Sequence, residues 1–393
     1  MSGPLHGITV VSLEQAVAAP FATRQLADLG ARVIKVERPG AGDFARGYDE
    51  TVKGLSSHFV WINRAKESLT LNLKHPEALA VLERLLDGAD VFVQNLAPGA
   101  TARLGLDADS LRDRNPRLIV CDVSGFGASG PYRDKKAYDL LIQCEAGLVS
   151  VTGTPESPAK AGISVADIAG GMYAYSGILT ALYRREREGR GSHLEVSLFD
   201  GLAEWMGFPA YFAAYGGKPP PRNGASHAAI APYGPFTCGN GEQVNLGIQN
   251  EREWRVFCEQ VLERPELALD GRFSSNSRRV ANREVLRQAI EAAFAELDVA
   301  RAVARLDTAG IANARMNDMQ AFWDHPQLAA RGRWTEVDTP AGAIRALQPP
   351  VIMDGVTARM DAIPALGEHT GTILGELGYE DPAIQRLREA GAI

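Results

Sequence analysis

Cysteine is scarce in this chain. Four occur in 393 residues, Cys121, Cys144, Cys238 and Cys258, with no pair at CxxC spacing and no Cys/His cluster at zinc spacing. That pattern offers neither a disulfide framework nor a thiolate metal site, and it fits reduced, buried thiols. Basic charge is also short: 41 Lys and Arg stand against 48 Asp and Glu, a formal net charge of −7. Such a balance disfavours nucleic acid or an anionic membrane as partner, since both favour a basic face. No apolar run approaches the roughly 20 residues that a spanning helix needs. The N-terminus lacks the basic and apolar regions of a signal peptide. The expectation is a cytoplasmic protein with no metal and no permanently bound cofactor.

What is present describes an ordinary globular chain, 45% hydrophobic and 23% charged, long enough for two domains. Its opening is the most informative stretch. Residues 8–13 (ITVVSL) form an apolar, β-rich run, residues 21–29 carry apolar side chains at helical spacing, and Gly30 stops that helix. Residues 33–36 (VIKV) are a second run of strand length. This is a βαβ unit, which makes the strands parallel and leaves their carboxyl ends lining a ligand crevice. The loop at 14–20 has no glycine fingerprint for a pyrophosphate. The second strand instead leads through Lys35 and Arg38 into a Pro-Gly-Ala-Gly-Asp turn, so side-chain cations are the candidates for holding an anion.

Alternating strand and helix patterns continue to about residue 200. Helical spacing marks 76–86 and 167–185; strands are expected at 91–93, 118–123 and 193–197. A Gly-Gly-Lys-Pro-Pro-Pro stretch at 216–221 has the composition of a stiff linker. Beyond it come strand signals near Phe236 and at 244–247, then helices at 253–261, 283–295 and 299–309, and a last helix near 370–377. The expected division is a large α/β domain at 1–200, a linker at 201–225, a small α/β domain at 226–325, and a return to the large domain over 326–393. No internal repeat is present.

Asp167 is the first candidate for chemistry. With Ser164 it makes an S-x-x-D spacing, so its plain role is to stabilise a helix N-terminus. The adjacent Gly170 and Gly171 weigh against that, because a glycine inside a helix costs on the order of 1 kcal/mol relative to alanine. Two together suggest that something approaches the backbone closely. Residues 125–130 (GFGASG) spell GxGxxG after a strand, yet Pro131 and Tyr132 follow as a turn. A dinucleotide fingerprint must open a helix, so this match is a decoy.

Six blocks resemble the class III coenzyme A transferases, the formyl-CoA transferase and carnitine-CoA transferase family. They are the opening just described, NRAKESLTLNLK (63–74), VFVQNLAPGATARLGL (91–106), SGFGASGPYRDKKAYD (124–139), GISVADIAGGMYAYSGILTALYRREREGRG (162–191) and ALGEHT (365–370). The resemblance implies a large doubly wound, Rossmann-like domain, a smaller α/β domain, and a homodimer of two chains linked as rings. It implies that Asp167 is the nucleophile of an aspartyl anhydride and aspartyl-CoA thioester sequence. Keeping it ionised would fall to the helix N-terminus. Backbone N–H groups near Val17 and Ala18 would hold the oxyanion, and Arg38, Lys74, Asn95, Arg103, Lys136 and Tyr138 would border coenzyme A. Gln15 and Val17 differ from the histidine and glutamine of the formyl-CoA branch, so only a backbone role carries over there.

The segment at 223–233 (NGASHAAIAPY) replaces the glycine-run lid of that branch and looks more like the branch using succinyl-CoA and dicarboxylates of the itaconate, mesaconate, glutarate or malate type. Arg46 and His227 are then candidates for the unreactive carboxylate, with Tyr48 shaping the pocket. His369 has the plain reading of helix capping and packing. Two other functions stay open at this point. One is an α-methylacyl-CoA racemase, which resemblance disfavours because that branch carries histidine where this chain has Tyr138. The other is a CoA-binding protein without catalysis.

Overall fold

The structure is a computed structural model that describes residues 3–393. Six strands, β1 (Thr9–Leu13), β2 (Arg32–Glu37), β3 (Lys66–Thr70), β4 (Val91–Gln94), β5 (Ile119–Ser124) and β6 (His193–Ser197), form one sheet in the order β3-β2-β1-β4-β5-β6. Every neighbouring pair is parallel, with Val10 opposite Val33 on one side and Val91 on the other. β1 and β2 are connected by the helix α1 (Ala18–Asp28). Winding outward in both directions from β1 and β4 makes this a doubly wound sheet, and the switch point falls between those two strands. Val10, Val11, Val91 and Phe92 have no exposed surface, as expected of strands covered on both faces.

The chain divides into two compact units. One runs to Ala146 and adds Ala161–Met206 and Gln327–Ile393; it holds the parallel sheet. The other comprises Gly147–Lys160 and Gly207–Pro326. The sequence-based division gave 147–160 to the large domain. Within the second unit Arg222 donates to the carbonyls of Ser150, Thr154 and Pro155, and the Gly224 amide donates to Gly153. Those bonds tie the short segment to the start of the 223–233 loop. This unit is built on an antiparallel sheet, β7 (Tyr233–Thr237), β8 (Gln243–Gly247) and β9 (Ala312–Arg315), with Trp254, Phe257, Phe273 and Phe294 buried in its core. Among the described residues no helix is long and apolar enough to cross a membrane, and no group of His, Cys, Asp and Glu is arranged to hold a metal ion.

In the first unit, α2 (Asp139–Glu145) precedes the long helix α3 (Val165–Glu188), and α4 (Leu198–Trp205) follows β6. The paired glycines of α3 are explained by packing. A Cβ on Gly171 would lie 2.6 Å from the Ala18 carbonyl oxygen of α1, and one on Gly170 would lie 2.5 Å from a methyl of Leu198. What approaches the backbone is protein on both sides.

Candidate active site

β1 delivers the loop that opens the site, and buried charges fix that loop. Glu14, fully buried, accepts from Lys66 (2.7 Å) and from the Thr23 hydroxyl (2.6 Å), with Lys35 at 3.5 Å. Burial pushes the Lys66 ammonium down, to about 8, against the pull of Glu14. Lys35 is also without exposed surface and donates to Asp43 at 2.7 Å, while Asp43 accepts from the Ala16 amide. Lys35 is therefore part of the scaffold and is not available to an anion, contrary to the reading of the turn as a cationic cradle. Ala16 adopts a left-handed conformation at φ +60°, which its two braced neighbours and the Asp43 bond hold in place.

Asn95 follows β4 and exchanges two hydrogen bonds with Gln15: the Gln15 amide donates to Asn95 Oδ1, and Asn95 Nδ2 donates to the Gln15 carbonyl, each at 2.8 Å. Both polar groups of Asn95 face the loop, so it acts as a clamp across the switch point. After this clamp Val17 caps α1 without a side-chain bond, and the Ala18 and Ala19 amides, at the first positions of the helix, lack intrahelical acceptors.

Beside the loop lies a cleft of about 310 Å³ over the carboxyl ends of β1, β2 and β4. Gln15, Arg38, Lys74, Leu96 and Arg103 line it. Arg38, Lys74 and Arg103 are exposed there, and none has a side-chain hydrogen bond or ion pair among the described residues. Three unpaired cations around an apolar cleft are suited to a ligand with an apolar body and several phosphates. Lys136 is exposed on the loop before α2, outside the residues lining this cleft.

Asp167 is half-buried on the first turn of α3. It lies one helical turn before Gly171, so both share the face packed against the start of α1. Its surroundings differ from the expectation. Ser164, at the cap position, makes no side-chain bond; Asp139 of α2 takes the cap instead, accepting from the Ala166 amide at 2.8 Å and the Asp167 amide at 3.4 Å. Burial, and then the Asp139 charge, push the Asp167 carboxyl up to about 7. The helix N-terminus thus does not hold Asp167 ionised, because a second carboxylate occupies its amides. Tyr48 and Tyr138 stand nearby. Burial, with the charges of Asp43 and Asp167, raises the Tyr48 hydroxyl to about 12, so it remains a donor.

Arg46 is committed elsewhere. Its guanidinium makes a two-bond pair with Glu37, both at 2.8 Å, contacts the Pro364 carbonyl and stacks on Phe59 at 3.8 Å. Burial opposes ionisation of Glu37, but Arg46, Lys35 and Ser68 hold it at about 2. The fork that would receive a substrate carboxylate is already filled. His227 belongs to the second unit: its Nδ1 accepts from the Ala229 amide, and its ring stacks on Tyr233 with centroids 5.4 Å apart. Tyr48 packs edge-on against His58 at 5.3 Å. His369 joins strand β3, its Nδ1 accepting from the Ser68 amide and its own amide donating to the Ser68 carbonyl.

A carboxylate kept basic and free of cations, on the helix face packed against the start of α1, has the chemistry of an acyl nucleophile. The comparisons agree with that class. Residues 5–370 match CoA-transferase family III, and the chain belongs to that family. It is an enzyme of the class III CoA-transferases, whose substrates are CoA thioesters. It is 35% identical to a succinate–glutarate CoA-transferase of Agrobacterium fabrum over 95% of this chain and 96% of that one. It is 38% identical to an acetyl-CoA:oxalate CoA-transferase of Acetobacter aceti, covering 84% and 85%. The crystal structure of a CAIB/BAIF family protein from Brucella suis superposes with a TM-score of 0.84 at 34% identity, covering 96% of this chain and all of that one.

Proposed function

We propose that the enzyme moves CoA from succinyl-CoA to a small dicarboxylate of the glutarate type, through covalent intermediates on Asp167. The observation that carries the mechanism is the Asp167 carboxylate itself, basic and cation-free, on the helix face that packs against the start of α1. An Asp167 oxygen attacks the thioester carbonyl; the C–S bond breaks and CoA leaves as thiolate, giving an aspartyl–acyl anhydride. The thiolate attacks the aspartyl carbonyl and expels the donor carboxylate, leaving an aspartyl-CoA thioester. The acceptor carboxylate then displaces the thiolate to form a new anhydride, and the thiolate attacks the acceptor's acyl carbon, restoring Asp167. The Ala18 amide region serves as the oxyanion donor.

Arg38, Lys74 and Arg103 meet the phosphates of CoA in this reading. Arg38→Ala should raise KM for every acyl-CoA donor alike, by the roughly 1.5–3 kcal/mol that one charged hydrogen-bonding partner contributes. An effect confined to one acyl group would move Arg38 into the acyl pocket.

The acceptor class is supported by the names of the relatives, whose acceptors include glutarate and oxalate. Arg46 is engaged by Glu37, so the second carboxylate is left to other groups, and His227 is offered for it on the resemblance alone. A panel of free acids incubated with succinyl-CoA and read by mass spectrometry tests this. Glutarate, itaconate or mesaconate should exceed butyrate and formate by at least about tenfold, since a site built for a second carboxylate is left unsatisfied without it. Equal rates across mono- and dicarboxylates would refute the acceptor assignment.

A further inference from the structure

The nucleophile's own surroundings carry one more step, which rests on the reading of Asp167 as the group that is acylated. Two carboxylates converge on the first turn of α3, and they are not equivalent. Asp139 is satisfied: it accepts from the Ala166 and Asp167 amides and from the Gln143 side-chain amide at 2.6 Å. Asp167 has none of these donors and no cation acting on it; burial and the Asp139 charge are the two influences, and both oppose its ionisation. Tyr138, beside Asp139, and Tyr48, at the end of the Phe44–Gly47 turn, are the other titratable groups at the site, with Asp43 acting on Tyr48 from behind.

We propose that Asp139 is a positioning residue that caps α3 in place of the nucleophile and, as a fixed neighbouring charge, destabilises the free Asp167 carboxylate relative to its acylated form. The charge balance gives the reason. When Asp167 attacks the thioester, its negative charge passes to the departing CoA thiolate and the acylated side chain is neutral. Repulsion from Asp139 is present before that step and relieved after it, so the covalent states gain against the free enzyme. The same withheld amides leave the attacking oxygen unshared and therefore more basic, which is what an acyl nucleophile needs. The neutral anhydride and thioester also tolerate the half-buried site better than the carboxylate does.

Asp139→Asn separates charge from cap, because the asparagine oxygen still accepts from the Ala166 amide. The titration of Asp167 in the free enzyme is read from the infrared carboxylate band, as the difference from an Asp167→Asn control. It should move down by one pH unit or more in Asp139→Asn, a tenfold change in proton affinity, while thermal melts report separately the loss of the Gln143 bond, which the asparagine NH2 cannot accept. An unmoved titration overturns the proposal whatever happens to turnover. Incubation with succinyl-CoA gives the second arm, the fraction of enzyme carrying CoA on Asp167 by intact-mass and peptide analysis. That fraction should fall about tenfold in Asp139→Asn, and an undiminished fraction also counts against the role. A wild type that never acquires the adduct, while the titration shifts as stated, sinks covalent transfer through Asp167 and leaves the electrostatic part of the inference supported.

Discussion

Asp167→Asn should stop CoA transfer, lowering kcat by roughly 10⁴- to 10⁶-fold as expected when a covalent nucleophile is removed, while KM-independent binding of CoA is kept. Retained turnover would end the covalent mechanism. The same variant has a second, opposite signature in stability. The Asp167 carboxyl sits at about 7 in the folded protein against an ordinary value of 3.8. Below pH 4 both folded and unfolded states hold the proton, and the group contributes nothing. Between pH 4 and 7 the folded state binds more protons than the unfolded one, so the unfolding free energy falls as pH rises. Above pH 7 the folded state bears the full cost of an ionised carboxylate beside Asp139. The asparagine variant escapes that cost. Its advantage over wild type should be near zero at pH 4 and grow to about 2 kcal/mol at pH 8, after discounting for partial solvent access. Denaturant unfolding of both proteins across that range checks it; an advantage independent of pH would mean the strain at this position is not electrostatic. Activity follows the same ionisation, and kcat/KM should rise with pH through about 7 because only the carboxylate attacks.

Much of this arrangement was legible in the sequence because it rests on local pattern. Apolar runs bounded by Gly30 mark β1, α1 and β2, and the resemblance places Asp167 at a helix start, where α3 begins at Val165. The hidden parts are those in which charge is used inside the protein. β3 was missed as a strand because Lys66-Glu67-Ser68 looks like solvated surface, yet Lys66 and Ser68 are buried, answering Glu14 and Glu37 from neighbouring elements. Lys35 is in the same position. The one available signal was a lysine inside the otherwise apolar run VIKV, which a doubly covered strand admits only with a buried partner. Asp139 left no local signal at all. It lies 27 residues from the amide it caps, and only the packing of α2 against the start of α3 brings them together. Arg46 is a candidate by resemblance alone, and no local pattern shows that Glu37 at the end of β2 holds its guanidinium by two bonds.

The paired glycines of α3 separate what the chemistry needs from what packing tolerates. Gly170→Ala should be close to neutral: the new Cβ meets the end of the Leu198 side chain at 2.5 Å, which can rotate aside, and alanine returns about 1 kcal/mol of helix propensity. Gly171→Ala faces the Ala18 carbonyl at 2.6 Å and Phe21 at 3.0 Å, and a helix backbone cannot rotate aside. Relief requires α1 to move away from α3, at an overpacking cost of about 1–3 kcal/mol. That displacement carries the Ala18 and Ala19 amides away from the face that Asp167 shares with Gly171. A shift of about 1 Å at the reacting groups is enough for a loss near 100-fold. Gly171→Ala should therefore lose kcat by roughly 10- to 100-fold with little change in KM for the acyl-CoA donor, since the cleft at Arg38 and Arg103 is built on β2 and the segment after β4. Steady-state kinetics and thermal melts of the two single variants decide the matter. If the adjacent substitutions behave alike, the close contact with α1 is not what aligns Asp167 with the proposed oxyanion donors.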